Sequence, residues 1–171
     1  ILLGMTVGLV AAWKRGTWID SAALFTGLLM WALPTFFLGI ILLILARGIL
    51  PIGGMVTPGL AKEGSIEYWV DVSRHLVLPT ITLAITSASG YMLIMRSSVV
   101  EVLAEDYILT AKAKGLSNFR ILRDHALKNA MLPMVTIIAL NLGYVVGGAI
   151  QVETVFSWPG IGRLIYESVS K

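Results

Sequence analysis

Long uncharged stretches alternate with short polar ones along this chain. Residues 21–46, 76–95 and 130–152 contain no Asp, Glu, Lys or Arg. A helix needs about 20 residues to cross the hydrocarbon core of a bilayer, so each stretch is long enough to span it once. Residues 1–13 are also uncharged but too short, and are expected to be the end of a truncated span. The pattern predicts an all-α, polytopic transmembrane helical bundle.

Composition supports this class and narrows the chemistry. Hydrophobic residues make up 57% of the chain and charged residues 13%, against about 45–50% and about 25% in soluble domains. Cysteine is absent, which excludes disulfides and thiolate metal sites. Neither a phosphate-binding GxxxxGK[ST] loop nor a common hydrolase motif occurs. No catalytic, cofactor-binding or metal-binding residue is therefore assigned, and no nucleic-acid footprint is evident.

Residues 96–129 form a polar, basic segment between two of the predicted spans. They carry six of the thirteen basic residues, and Lys14 and Arg15 lie on the same side because two spans intervene. That side holds eight Lys and Arg residues and the other side five. Because basic residues favour the cytoplasmic side, residues 96–129 are predicted to be cytoplasmic. Residues 47–75 and 153–171 are then extracytoplasmic.

Local signals divide this basic segment into two short helices. Gly115 stands where a left-handed helix cap is expected, and Ser117 or Asn118 can cap the next helix. Pro133 is expected in the first turn of the following span. Two apolar faces are predicted at helical spacing, formed by Leu103, Tyr107, Ile108 and Ala111 and by Phe119, Leu122 and Ala126.

Three stretches carry a family resemblance. The run from residue 101 to residue 133 reads EVLAEDYILTAKAKGLSNFRILRDHALKNAMLP. It resembles the cytoplasmic loop of binding-protein-dependent ABC importer permeases, within the dipeptide/oligopeptide/nickel branch. His75–Ala84 and Glu153–Leu164 resemble the same branch. Ala111, Gly115, Leu132 and Pro133 match the general loop motif outright, whereas Leu109 and Thr110 replace its Glu and first Ala.

The resemblance implies a partial type I ABC importer transmembrane domain over residues 1–171, in a fragment lacking the terminal spans. It implies a permease subunit in the cell inner membrane, forming half of a pathway for a solute, with di- or oligopeptides expected first. ATP and Mg would be bound by a separate cytoplasmic ABC ATPase, the second permease subunit would complete a hetero- or homodimer, and an extracytoplasmic solute-binding protein would deliver cargo. The loop that couples to the ATPase would include Tyr107, Ala111, Lys112, Gly115, Leu116, Ser117, Asn118, Phe119, His125, Asn129 and Pro133.

Other polar residues give weaker indications. Ser87, Ser89 and Asn141 are candidate pathway-lining residues, although small and amide side chains in a span also serve helix packing. His75 is interpreted as an interfacial capping residue rather than a ligand. The resemblance suggests that the binding protein contacts Glu67, Asp71, Glu153, Trp158 and Pro159, although the Trp-Pro-Gly sequence is also typical of a plain turn.

Alternative functions remain open on the sequence. The same machinery could import nickel or another small solute. An ion-coupled or facilitative transporter, or a scaffold subunit without a pathway, would share the predicted spans. In both of those classes the basic segment is only a surface loop on the lipid headgroups. An intramembrane protease using Ser87 or Ser89 with His125 is disfavoured, because His125 belongs to the cytoplasmic segment.

Overall fold

A computed structural model describes residues 1–60, 62–146 and 149–170 as helices joined by turns. No β-strand occurs in these ranges, so the all-α prediction is confirmed. The elements run in chain order as α1 (Leu2–Trp13), α2 (Trp18–Ala32), α3 (Thr35–Leu45), α4 (Ile66–Val102), α5 (Asp106–Ala113), α6 (Asn118–Arg120), a π-helical turn (Ile121–Ala126), α7 (Leu127–Val146), α8 (Ile150–Val155) and α9 (Ile161–Val169).

Two helical stretches in the described residues are long and apolar enough to cross a membrane. One is α4, and the other is Asn118–Gly143, in which α6, the π turn and α7 run on as one helix. The predicted span 76–95 lies inside α4, which begins ten residues earlier and places Pro79 in its interior rather than near its start. The predicted span 130–152 differs more, because α7 ends at Val146 and Ile150 begins another helix. Its residues 147 and 148 lie outside the described ranges.

The predicted span 21–46 is broken at Pro34. Helix α2 ends at Ala32, and α3 begins at Thr35 with Pro34 as its N-cap residue. Proline lacks the N–H that would continue the ladder and disfavours a helical conformation in the residue before it, here Leu33. The two pieces pass as a third candidate span only if they are taken together.

Large apolar side chains of α7 point away from the protein. Leu132, Val135, Leu140 and Leu142 are 58–67% exposed. In water such a surface would be costly, but lipid tails are as apolar as leucine and impose no such cost. The exposed leucines therefore fit a helix that faces hydrocarbon.

The chain divides into two compact units. The first comprises Ile1–Ala32 and Ser87–Leu142. Its core joins α1, the second part of α4, α5, the π turn and the first part of α7. Eleven buried residues form this core: Ala12, Tyr91, Met95, Val99, Ile108, Ala111, Ile121, Leu122, Ala126, Ala130 and Met134.

The second unit comprises the described residues of Leu33–Thr86 and Gly143–Lys171. A smaller core forms around Leu78, Val152 and Phe156, with side chains of α3 packed against it. The amide of Gly54 donates to the carbonyl of Phe156 at 2.9 Å, which ties the turn-rich segment after α3 to the end of α8.

Candidate functional site

A tight turn connects α5 to α6 in the basic segment. Gly115 adopts φ +75°, the left-handed conformation that favours glycine. The amide of Gly115 donates to the carbonyl of Lys112 at 2.9 Å, and the amide of Leu116 to that of Ala111 at 3.3 Å. Ser117 then accepts a hydrogen bond from the amide of Arg120 at 3.4 Å. The predicted helix cap at Gly115 and the N-cap at Ser117 are both confirmed.

Buried apolar residues fix this turn to the first unit. Ile108 is fully buried and Ala111 nearly so, and they pack with Ile121, Leu122 and Ala126. Burying a side chain such as Ile108 contributes about 1.5–3 kcal/mol. By comparison, a hydrogen bond contributes about 0.5–1.5 kcal/mol, such as the one that the Asn129 amide donates to the Tyr107 hydroxyl at 2.7 Å. Packing therefore holds α5 and the π turn in place more than the polar contacts of the segment do.

The predicted second face is only partly correct. Leu122 and Ala126 are buried, but Phe119 is 60% exposed. Its ring lies 6.0 Å from that of Trp13, and the guanidinium of Arg123 lies 5.8 Å from its centre. Phe119 lies one helical turn away from the core and is part of an exposed surface with the aromatic ring of Trp13 and the cationic group of Arg123. The helical spacing predicted which side of the helix is buried, but not how far along the helix that burial extends.

A π turn replaces the predicted boundary at the next span. The amide of Leu127 donates to the carbonyl of Leu122, five residues back. The helix then continues, and Pro133 lies in its interior rather than in a first turn. The prediction for Pro133 was wrong because the basic residues before it do not end the helix.

The loop surface is defined as a set of exposed residues between Tyr107 and Arg123, a stretch that contains four basic residues and no acidic one. Arg123 is paired with Asp124 at 2.6 and 2.9 Å. Lys112, Lys114 and Arg120 form no ion pair with the described residues. The members of the loop surface are all exposed: Tyr107, Leu109, Lys112, Lys114, Gly115, Ser117, Asn118, Phe119, Arg120 and Arg123. The other predicted loop residues lie outside this set. Leu116 and His125 are half-buried, Ala111 is buried, and Asn129 and Pro133 are exposed further along the chain.

Arg96 does not belong to the loop surface, although its charge was counted with the basic segment. Its guanidinium donates to both carboxylate oxygens of Asp20, at 2.7 and 2.9 Å. Asp20 is 4% exposed and also accepts a hydrogen bond from the amide of Gly16 at 3.0 Å. Sequence reasoning missed this pair. The sequence did offer one signal for it. An acidic residue directly precedes one apolar stretch, a basic residue directly follows another, and both lie on the same predicted side of the membrane.

The candidate pathway residues are not brought together around one opening. The amide of Asn141 donates to the Tyr91 hydroxyl at 2.7 Å, so it joins α7 to α4. Ser89 is buried beside a small, almost wholly apolar pocket that Gly27 and Met92 also line, whereas Ser87 is exposed. The contact of Asn141 fits helix packing. A pathway role for the three residues stays a prediction.

Asp71 and His75, both in the first part of α4, have internal contacts. Asp71 is 6% exposed and accepts from the Thr57 amide at 2.5 Å and from the Thr57 hydroxyl at 3.1 Å. His75 is equally buried, with Nδ1 2.8 Å from the Asp71 carbonyl oxygen. His75 is thus an interior helix residue rather than a cap, which corrects that interpretation. Asp71 anchors a turn, while Glu67 remains exposed.

Glu153 has a similar internal role after α7. Its carboxylate accepts a hydrogen bond from the amide of Arg163 at 2.7 Å, in the first turn of α9. A Cβ on Gly160 would collide with this carboxylate, and one on Gly162 would crowd Ile150. The two glycines therefore allow the chain to wrap around the acid. The turn explains Glu153 structurally; Trp158 is half-buried and Pro159 exposed.

Comparison with known proteins shows which sequences this chain resembles. Residues 4–170 match the family described as "Binding-protein-dependent transport system inner membrane component". The dipeptide transport system permease protein DppB of Escherichia coli (strain K12) is 37% identical over 188 residues, which cover 99% of this chain and 56% of that protein. The di/tripeptide transport system permease protein DppB of Pseudomonas aeruginosa is 35% identical over 185 residues, covering 98% and 55%. The chain thus spans a little over half the length of these curated relatives.

Proposed function

The chain belongs to the family of binding-protein-dependent transport system inner membrane components, and from this premise we propose that it is a permease subunit of an ATP-driven peptide importer. The names of the relatives support di- or oligopeptides as the solute class. The family describes a membrane component rather than a catalytic subunit. ATP hydrolysis would then take place on a separate ATPase with bound Mg, and a second permease subunit would form the other half of the pathway.

The observation that carries the proposal is the loop surface at the junction of two membrane-length helices, where it is packed onto their shared core. Helix α5 and the π turn are packed into the core of the first unit. Phe119 faces outward, together with Lys112, Lys114 and Arg120, which form no ion pair with the described residues. A partner that pushes on this surface would move α4 and α7 with it, because both helices share that core. ATP-driven closure of the ATPase would reach the pathway by this route.

Gly115 offers a specific test of coupling. The Cβ of a valine there would meet no atom within 4 Å, so the main effect is the strain of a left-handed residue, about 1–2 kcal/mol. Such strain is too small to unfold the protein but would redirect the turn. Gly115→Val should leave the protein abundant in the membrane, weaken retention of the ATPase and abolish uptake. The measurement is ATPase co-purification with peptide uptake, using partner subunits found in neighbouring reading frames.

Gly59→Val is the matched control. Gly59 has φ +74°, and a Cβ added to it would also meet no atom within 4 Å, but it lies in the segment predicted to be extracytoplasmic. Gly59→Val therefore introduces the same backbone strain but does not alter the loop surface. Normal ATPase retention and uptake in Gly115→Val would contradict the coupling proposal. Equal losses in both variants would indicate general misfolding instead.

On the predicted extracytoplasmic side, we propose a docking surface for the binding protein that is smaller than the set of residues suggested by the sequence. Glu67 and Pro159 are exposed, whereas Asp71 and Glu153 hold internal contacts. Charge reversal at Glu67 should lower binding-protein-stimulated ATP hydrolysis and spare the basal rate. An unchanged stimulated rate would remove Glu67 from the docking surface.

A further inference from the structure

Helix α9 presents an exposed apolar face. Ile161 and Leu164 are each 64% exposed, and Ile165 is 44% exposed. At 3.6 residues per turn these three side chains lie on one side, and Arg163 and Glu167 lie on the other. Separation of this kind is typical of a helix at a boundary between an apolar and a polar medium.

The polar side of α9 carries no unbalanced charge. Arg163 donates from Nε to Glu167 Oε1 at 2.7 Å, one turn along the helix. A helix that recognised a charged protein surface would be expected to leave one sign of charge unpaired for it. The neutral pair instead fits contact with an uncharged or zwitterionic surface.

Two backbone amides at the start of α9 donate to acceptors within the chain. Glu153 accepts from the Arg163 amide at 2.7 Å, and the amide of Leu164 donates to the carbonyl of Gly160 at 3.1 Å. On the apolar side, the hydroxyl of Ser168 donates to the Leu164 carbonyl at 2.8 Å. An unpaired N–H or O–H is costly next to hydrocarbon. These contacts lower the cost of placing the helix next to an apolar medium.

The part of α9 that the structure describes is too short to cross a bilayer by itself. Its nine residues correspond to about 14 Å of helix, less than half of a hydrocarbon core. We propose that α9 lies along the membrane surface, with Ile161, Leu164 and Ile165 inserted at the boundary between lipid headgroups and acyl chains. Lipid is the occupant because the protein is embedded in it and the charge pattern favours no charged partner. This inference does not depend on the proposed transport function.

Spin labels can test the proposal, because the chain has no native cysteine to label. Ile165→Cys reports the apolar side and Arg163→Cys the polar side, while Glu63→Cys in an exposed turn gives the aqueous reference. The labelled protein is reconstituted in phosphatidylcholine nanodiscs, and collisions with oxygen and with a nickel chelate are measured. We expect oxygen accessibility to exceed nickel accessibility several-fold at position 165, with the reverse at positions 163 and 63.

Two results would overturn the proposal. High nickel accessibility at both 165 and 163 would mean that α9 lies in water. Low accessibility to both reagents at 165 would mean that protein, such as a second copy of the chain, covers the apolar side. Leu164→Cys repeats the measurement on the same side, so a local disturbance by one label cannot decide the outcome.

Discussion

At the scale of single residues, the pair of Asp20 and Arg96 links α2 to α4 inside the first unit. The side chains of Asp20 and Arg96 are 6% and 18% exposed, so both charges are largely removed from solvent. Such a pair adds little net stability, because desolvation offsets the attraction, but loss of one partner leaves an uncompensated charge. The pair therefore fixes the arrangement of the two helices more than it strengthens the fold.

Asp20→Asn should lower the free energy of unfolding by about 3–5 kcal/mol, since Arg96 would then be held without its counter-charge. Denaturant unfolding of the purified protein in detergent measures the change. Asp124→Asn is the control: in the Arg123–Asp124 pair the side chains are 61% and 36% exposed, and loss of an exposed pair costs at most about 1 kcal/mol.

The double substitution Asp20→Leu with Arg96→Met completes the test. Replacing both charges with apolar side chains should recover much of the stability lost in Asp20→Asn. If Asp20→Asn unfolds like the original protein, the ion pair is not a constraint on the fold.

Sequence reasoning succeeded for residues whose partners are near in the chain. The left-handed Gly115 and the capping Ser117 each depend on neighbours within five residues, and local sequence signals encode such contacts. It did not reveal the internal contacts of Asp71 and Glu153, whose partners Thr57 and Arg163 lie fourteen and ten residues away. An acid in a polar stretch reads as a surface residue until the fold shows which amide it accepts from.

At the scale of helices, α1 and α4 approach closely through glycine. A Cβ on Gly4 would collide with the backbone of Ala88, and one on Gly8 with the backbone of Met92. The two glycines are four residues apart and share one face of α1. At Gly143 in α7, by contrast, an added Cβ would meet open space. Small residues allow close approach but do not identify the helix that uses it.

Gly4→Ala should lower the unfolding temperature, because overpacking at a backbone contact typically costs about 1–3 kcal/mol. Gly143→Ala is the matched control and should be neutral or raise stability by about 0.5–1 kcal/mol, since alanine favours the helix. Thermal unfolding in detergent compares the two variants. Equal unfolding temperatures would show that the α1–α4 contact is dispensable.

At the scale of the whole molecule, the apolar stretches predicted that helices cross a membrane but not where the helices end. Helix α4 has 37 residues, or about 55 Å, well beyond a hydrocarbon core of about 30 Å. Its continuation to Val102 and the run from Asn118 into α7 were not foreseen. Charged residues mark the edge of the bilayer, whereas a helix ends only where capping or turn geometry ends it.

The sidedness of the chain in the membrane is predicted from its basic residues. Arg96 is paired with Asp20, but the bias depends on Lys and Arg rather than on net charge, so the excess around the loop surface still favours the cytoplasm. Asn118→Cys should resist an impermeant thiol reagent in intact cells, and Glu63→Cys should react. Both positions are exposed, so burial would not mimic protection. If Asn118→Cys were labelled in intact cells, the predicted orientation would be wrong.

The π turn at Ile121–Ala126 gives the chain some tolerance in length. A π turn closes its hydrogen bond over one residue more than an α turn does. Removal of one residue from a regular helix rotates everything beyond it by about 100°. Here the same deletion would convert the π turn to an α turn and leave the faces of α6 and α7 in register. The spacing from Gly115 to Pro133 can therefore differ by one residue between related chains without exchanging their buried and exposed sides.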